Sequence, residues 1–356
     1  MLDMPVLLRR QSASLRLRAL CFTSGIVAGL LISAVLLMAV GVPADAIVNE
    51  FIVQVFFTER GLAQTATMAT PLILVGLGAS AALHLRFWNI GMEGQLWCGA
   101  LAATGVAIYD IGPESIRIVI ILAAGFAGGS LWIALPVFLK LRYRVNEIIM
   151  TLLMIYVAYL LVQHMLFGAW QDPATSFPVS PPFDPFETLP ELGWGHTQAG
   201  LFIALGAGAL LWLLMSRSRF GYYANVVGHN ADVARVAGLP VATTVILAVL
   251  LSGGLSGLAG AVIVAGDEHR LTLFLGEGYT FSAIVIAFIA GSRPIPTVIA
   301  AFAVAGVYAA GETLKVFYSI SEAVVILVEG TILFCLLISR FFCTFEIRRS
   351  NRPVSP

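Results

Sequence analysis

The stretch 84-HLRFWNIGMEGQLW-97 lies between two apolar runs, PLILVGLGASAAL before it and CGALAATGVAI after it. Asn89, Glu93 and Gln95 put amide and carboxylate groups where hydrocarbon surroundings are expected. A charge at the centre of a bilayer costs about 2.5–3.5 kcal/mol on insertion scales, so such groups face protein or water. Non-helical chain survives at that depth only where protein or a water-filled cavity satisfies it. The stretch therefore reads as a break between spans, with Asn89 as the N-cap of a helix beginning near Ile90. Glu93 falls in the first turn of that helix, where a carboxylate favours the exposed amides. Gly91 and Gly94 permit a tight turn or close packing. Two roles stay open for Trp88, Asn89, Gly91, Glu93, Gly94 and Gln95. They hold a broken helix end in shape, or they line the path of a polar solute.

Composition sets the class. The chain of 356 residues is 59% hydrophobic and 11% charged, with a mean hydropathy of +0.93. Soluble domains carry about 25% charged residues, so this chain reads as a multi-span membrane protein. Zero net charge gives no reason to expect a nucleic-acid partner. Cys21, Cys98, Cys335 and Cys343 sit in or beside apolar runs without metal-ligand spacing and read as packing residues. Lys140 and Lys315 each follow Leu, so no Walker A loop exists to cradle ATP. The histidines are scattered and form no HExxH, and neither a catalytic nor a metal site is read.

Apolar runs give about ten candidate spans: 19–40, 62–83, 92–109, 116–139, 146–168, 198–215, 241–265, 279–292, 294–312 and 322–340. The third is short and Gly-rich, and the eighth and ninth are short and separated only by 292-SRPIP-296. The apolar run that begins at Ala19 exceeds the roughly 7–15 residues of a signal peptide and reads as an uncleaved first span. Arginines at 9, 10, 16, 18, 86, 217, 219, 235, 293, 340, 348, 349 and 352, with 140-KLRYR-144, all fall on one side. The other side holds Arg60, Arg117, Arg270, Lys315 and acidic loops that include Glu277. That asymmetry places both termini in the cytoplasm. The expected organisation is a cytoplasmic segment 1–18, a single transmembrane domain 19–340 and a cytoplasmic tail 341–356.

Two loops stand out. The outer loop 169–197 is rich in Pro and aromatic residues, as a connector or a partner surface. In the inner loop 216–240, Asn230 is suited to cap a short helix, Asp232 favours its start and 238-GLP-240 ends it. Gly253, Gly257 and Ala261 recur four apart, a spacing that lets helix backbones approach in lipid. Asn146 and Glu147 read as a cap at the start of the fifth span, or as a further part of the path. The break at 291–297 matches the first, and paired interrupted segments point to a transport path.

The motifs 88-WNIGMEGQ-95, 145-VNEIIMTLLMIYVA-158, 226-VVGHNADVARVAGLP-240 and 277-EGYTFSAIVIAFIAGSRPIP-296 carry a resemblance. In this order they resemble permease subunits of ATP-binding-cassette importers of the branched-chain amino-acid/ribose type, nearest to nucleoside and simple-sugar permeases. The family's Gly-x-Asn-x-x-x-Ala-x-x-x-Gly segment matches Gly228, Asn230, Ala234 and Gly238, with Ala231 beside Asn230. The resemblance implies that these residues meet an ATPase. It also implies ATPase subunits carrying ATP-Mg, with no cofactor in this chain. A second permease, paralogue or self, and an extracytoplasmic solute-binding protein are the other implied partners. The solute would be small and polar, with Trp88 or Trp97 stacking on it, and the setting a bacterial inner membrane and its lipid. An ion-coupled secondary transporter and a non-transporting scaffold are the rival readings.

Overall fold

The computed structural model describes residues 5–9, 14–195, 197–275 and 278–349. Arg10, His196, Glu277 and Arg352 of the sequence reading lie outside them. In chain order the helices are α1 (Leu15–Ala39), α2 (Ala44–Val48), α3 (Glu59–His84), α4 (Met92–Ile108), α5 (Glu114–Tyr143), α6 (Glu147–Leu166), α7 (Gly200–Arg217), α8 (Arg219–His229), α9 (Ala231–Val236), α10 (Val241–Val262), α11 (Tyr279–Ala290), α12 (Pro294–Tyr318) and α13 (Glu322–Thr344). π-helical turns at Asn49–Gln54 and Ile263–Asp267 follow α2 and α10.

The ten expected spans all appear as helices. Eight are long and apolar enough to cross a membrane, while α4 with 17 residues and α11 with 12 are the short ones. The protein is thus an all-helical polytopic membrane protein through its spans. The ninth span is a correction. It was expected to end at 312, but α12 runs to Tyr318. Glu312 and Lys315 do not end it because they lie one turn apart and pair at 3.8 Å, with Glu322 3.5 Å from the same lysine. A second difference is the short antiparallel pair β1 (Pro5–Arg9) and β2 (Phe345–Arg349), in segments read as plain tails. Five-residue segments, one of them largely charged, carry too little periodicity to be read as strands.

The chain divides into two compact units, Met1–Val53 with Ala310–Pro356, and Gln54–Ala309. In the first, α1 packs along α13. Gly25 and Gly29 make this possible, since a Cβ there would lie 2.8 Å from Ser339 Cβ and 2.9 Å from Ile332 Cα. Ser339 donates to the Cys21 carbonyl, and Ser33 to that of Val328 at 3.4 Å.

In the second unit α3 and α10 form the centre: 83% and 72% of their most apolar stretches are buried, against 22% or less for α5, α6 and α7. Leu131, Leu160 and Leu210 on those outer helices are exposed and suit a lipid surround. The glycine stripe is packing, as expected. Gly257 of α10 sits directly on the backbones of Gly99 in α4 and of Gly125 and Gly129 in α5.

Candidate functional site

The break begins where α3 runs out. The Ala82 carbonyl accepts the N–H groups of Leu85 and Phe87, at 3.1 Å each, and Arg86 turns the chain at φ 57°. Phe87 anchors the turn, fully buried against Ile133, Val137 and Val249.

Asn89 does not cap a helix at Ile90. The helix starts at Met92 with Gly91 as its cap. The Asn89 amide instead pairs with the Gln95 amide in both directions. Asn89 Nδ2 donates to Gln95 Oε1 at 2.9 Å, and Gln95 Nε2 donates to Asn89 Oδ1 at 2.8 Å. A further bond runs from Asn89 Nδ2 to Ser252 Oγ of α10 at 3.0 Å. All three side chains are buried. In apolar surroundings an unpaired amide is costly, so these groups close on one another before capping a backbone.

Neighbouring spans satisfy the break's backbone. Ile90 N–H donates to Thr151 Oγ1 of α6 at 3.3 Å, and Glu93 N–H to Thr280 Oγ1 of α11 at 2.8 Å. Glu93 itself is half-buried in the first turn of α4, as expected. Gly91 and Gly94 let α4 start hard against α6, since a Cβ would meet the Thr151 carbonyl at 2.5 Å and Ile155 Cα at 3.0 Å.

The two tryptophans differ. Trp97 is buried edge-on to Tyr159 at 5.8 Å and has no open face for a solute, which corrects the stacking role expected for it. Trp88 is 39% exposed and lies 5.6 Å from the Phe288 ring. At the second break, Gly291 (φ 65°) and Ser292 (φ 53°) reverse the chain, and Ser292 N–H returns to the Ala287 carbonyl at 2.8 Å. Ser80 and Thr297 then join α3 to α12 through their hydroxyls at 2.7 Å.

Asn146 caps α6, its Oδ1 accepting from Ile148 N–H at 2.9 Å. Glu147 pairs with Lys140, whose ammonium stands 4.7 Å over the Phe87 ring. This pair therefore braces the break from the α5–α6 turn.

The inner loop holds two helices where one was expected. Asn230 ends α8 and caps α9, its Oδ1 accepting from the N–H of Asp232 at 2.9 Å and of Val233 at 3.1 Å. Asp232 pairs with Arg235 at 2.7 Å. Gly238, at φ 75°, ends the helix, and Leu239 N–H returns to the Ala234 carbonyl at 3.0 Å. Ala234 is buried with Leu85, Ala224, Val227 and Ala248, and Ala231 packs on that cluster. Val233 and Val236 point away from it, with Val236 91% exposed.

Sequence reasoning missed α8 and its ties. Gly228 lies against the His84 carbonyl. His84 Nε2 meets Asn225 Oδ1 at 3.0 Å, and Arg86 Nη2 donates to the His229 carbonyl at 3.0 Å. These bonds fasten the loop helices to the residues where the break begins. Their partners stand some 140 positions apart, and no local pattern announces them.

The loop 169–197 is also fastened down. Ser180 N–H donates to the Leu271 carbonyl at 3.0 Å, Phe183 to His269 at 2.8 Å and Leu189 to Ala265 at 2.8 Å. Arg117 of α5 reaches Glu187 at 3.1 Å and Asp110 at 2.5 Å, under the Phe186 ring. Replacing Arg117 by Met strands a buried carboxylate at Glu187 and lowers the melting temperature, and Arg117→Met/Glu187→Met recovers most of the loss. A double variant no better than the single one would show that Glu187 does not depend on Arg117.

The family described as "Branched-chain amino acid transport system / permease component" matches residues 61–337. The glucose ABC transporter permease protein TsgB13 of Haloferax volcanii is 31% identical, over 92% of this chain and 90% of that protein. The guanosine ABC transporter permease protein NupP of Bacillus subtilis is 28% identical, over 87% and 89%. The nucleoside ABC transporter permease protein NupB of Lactococcus lactis is 24% identical, over 78% and 79%.

Proposed function

The chain belongs to the branched-chain amino acid transport system permease family, and from that premise we propose that it is the membrane subunit of an ATP-driven importer for a nucleoside or simple sugar. Separate ATPase subunits bind and hydrolyse ATP-Mg on the side of the inner loop. A binding protein delivers the solute to the opposite side, and a second permease, self or paralogue, completes the pore. We place it in a bacterial plasma membrane, and the charge pattern supports an orientation with both termini inside.

One observation carries the coupling scheme. The α9 helix presents Val233 and Val236 outward, while its α8 neighbour is bonded to His84 and Arg86 at the mouth of the break. Binding of ATP closes the ATPases and moves α8 and α9. The His84–Asn225 and Arg86–His229 bonds carry that movement to the end of α3, and so to the Asn89–Gln95 turn. The ATPases drive the cycle only to the extent that they bind the two permease states with different affinity.

The test is the ratio of uptake to ATP hydrolysis in the reconstituted transporter. Asn230→Ala removes the cap of α9, worth about 0.5–2 kcal/mol. Gly238→Val forces a branched residue into a left-handed conformation. Both variants stay in the membrane and hydrolyse ATP, while uptake per ATP falls about tenfold, equivalent to about 1.4 kcal/mol of lost coupling. An unchanged ratio would remove α9 from the coupling path. Uptake driven by an ion gradient without ATP would favour the secondary transporter, with Glu93 as its coupling acid.

A further inference from the structure

We propose that the corner between α7 and α8 binds an anionic phospholipid, its phosphate on Arg217 and Arg219 and its chains along the outer face of α7. On the importer reading, the bound lipid also seats α8 for coupling.

The corner lies where hydrocarbon gives way to water. The 18 residues of α7 rise about 27 Å, close to the roughly 30 Å of a hydrocarbon core, so Arg217 at its end reaches the headgroup level. Gly200, Ala204, Gly208 and Leu211 recur along one side of α7 and are buried. Phe202, Leu205, Leu210 and Leu213 are exposed on the other side. Leu210, Leu213 and Arg217 follow the i, i+3, i+7 spacing of a single helix face, so Arg217 terminates the apolar stripe. An acyl chain laid on that stripe arrives with its headgroup at a guanidinium.

The start of α8 suits the same level. Ser218 is extended between the two helices (φ −106°, ψ 162°), and its hydroxyl caps α8 through the Gly221 N–H at 3.1 Å. A Cβ on Gly221 would run into the Met215 carbonyl, so α8 starts this close to α7 only with glycine there. Gly221, Ala224 and Val227 form the buried face of α8. Arg219 and Tyr222 share the outer face at i and i+3, with Tyr222 63% exposed. Tyrosine and tryptophan rings settle at headgroup depth, and Trp212 near the end of α7 is exposed as well. A short helix with one apolar face and a basic, aromatic outer face lies in the interface plane.

No carboxylate engages either guanidinium among the described residues. Asp232 is the only acid between 216 and 240, and it already pairs with Arg235 at 2.7 Å. Basic side chains at a helix C-terminus often bond its last carbonyls, but the Ser218 hydroxyl takes that of Leu214 at 2.5 Å. Two guanidiniums match the free oxygens of a phosphodiester, and basic pockets beside spans on the cytoplasmic side hold anionic headgroups. A zwitterionic lipid brings its own cation to the corner and gains less. The far part of α8 is tied to the first break, Asn225 to His84 and the His229 carbonyl to Arg86. A lipid that anchors the near end makes α8 a lever with a fixed pivot.

The experiment begins with native mass spectrometry of the purified transporter, using phosphatidylglycerol and phosphatidylcholine as probes. Arg217→Gln/Arg219→Gln weakens phosphatidylglycerol binding about tenfold and leaves the weaker phosphatidylcholine binding unchanged. Arg217→Lys/Arg219→Lys retains most of the binding, which separates lost charge from lost fold. Arg142→Gln/Arg144→Gln removes the same charge from the end of α5 and binds as wild type does. No loss in the first pair, or equal loss in both glutamine pairs, overturns the site. Loss of ATPase assembly with phosphatidylglycerol binding intact makes the corner a protein contact and overturns it too. In proteoliposomes, equal parts of phosphatidylcholine and phosphatidylglycerol raise uptake per ATP about fivefold over phosphatidylcholine alone, and the Arg217→Gln/Arg219→Gln transporter shows no such rise. Equal ratios for wild type in the two membranes overturn the lever. Absence of ATP-driven uptake in both membranes overturns the importer reading, while the lipid site stands or falls on the binding measurement.

Discussion

Gly257→Leu will prevent the spans around α10 from closing, whereas Gly206→Leu will leave the protein as stable as before or slightly more so. Both glycines are in membrane-spanning helices, and the substitution is the same. They differ in what a side chain would meet. At Gly257 a Cβ would run into the backbones of Gly125 and Gly129, and at Gly206 no described residue comes within 4 Å of it. Overpacking costs about 1–3 kcal/mol where side chains have room to yield, and more where the obstacle is backbone. At Gly206 the removal of a helical glycine is worth about 0.5–1 kcal/mol in the opposite direction. Thermal melting in detergent separates the cases: Gly257→Leu is recovered poorly or melts well below wild type, and Gly206→Leu melts at or above it. Equal melting of the two would mean that close contact among α4, α5 and α10 does not hold this unit together.

The spacing of Gly253, Gly257 and Ala261 announces that packing by itself, because small residues four apart form one helix stripe. The spans were legible for a similar reason, since an uninterrupted run of about 20 apolar residues matches the thickness of a hydrocarbon core and would be insoluble outside one. The extent of α12 was not legible. Glu312 and Lys315 look like an ending in one dimension and become a one-turn pair in three. The division into two units was hidden as well. The first and last long helices meet through Gly25, Gly29, Ser33 and Ser339, and their partners lie about 300 positions away.

Within the candidate site, local signals read well and distant ones did not. Asn146, Asn230 and Gly238 act on neighbours within a few residues, and each was placed correctly as cap or terminator. The α8 helix was missed because its sequence, RFGYYANVVGH, mixes glycine and aromatic residues, and its ties reach His84 and Arg86 from across the chain. Asn89 shows how a correct residue can receive the wrong partner. An asparagine ahead of a helix caps it when water or backbone is the alternative. Here a second amide six residues on, and a serine on α10, offered a better match in a dry interior.

That pairing sets the last prediction and returns to the stretch 84-HLRFWNIGMEGQLW-97. Asn89→Leu strands both polar groups of Gln95 and the Ser252 hydroxyl, and each buried orphan costs about 1–3 kcal/mol. Gln95→Leu is milder, because Asn89 keeps its bond to Ser252. Side-chain hydrogen bonds inside membrane proteins average about 0.6 kcal/mol in double-mutant cycles, with a maximum of about 1.7. Two reciprocal bonds should therefore couple by about 1–2 kcal/mol. The double variant Asn89→Leu/Gln95→Leu then loses less stability than the two single losses added together. The solute KM of the double variant also decides between the two roles left open for this stretch. Both amides are buried and engaged with each other, so they have nothing to offer a passing solute. An unchanged KM with reduced stability fits a structural clasp, and a KM that rises while stability is additive would place the pair on the solute path instead.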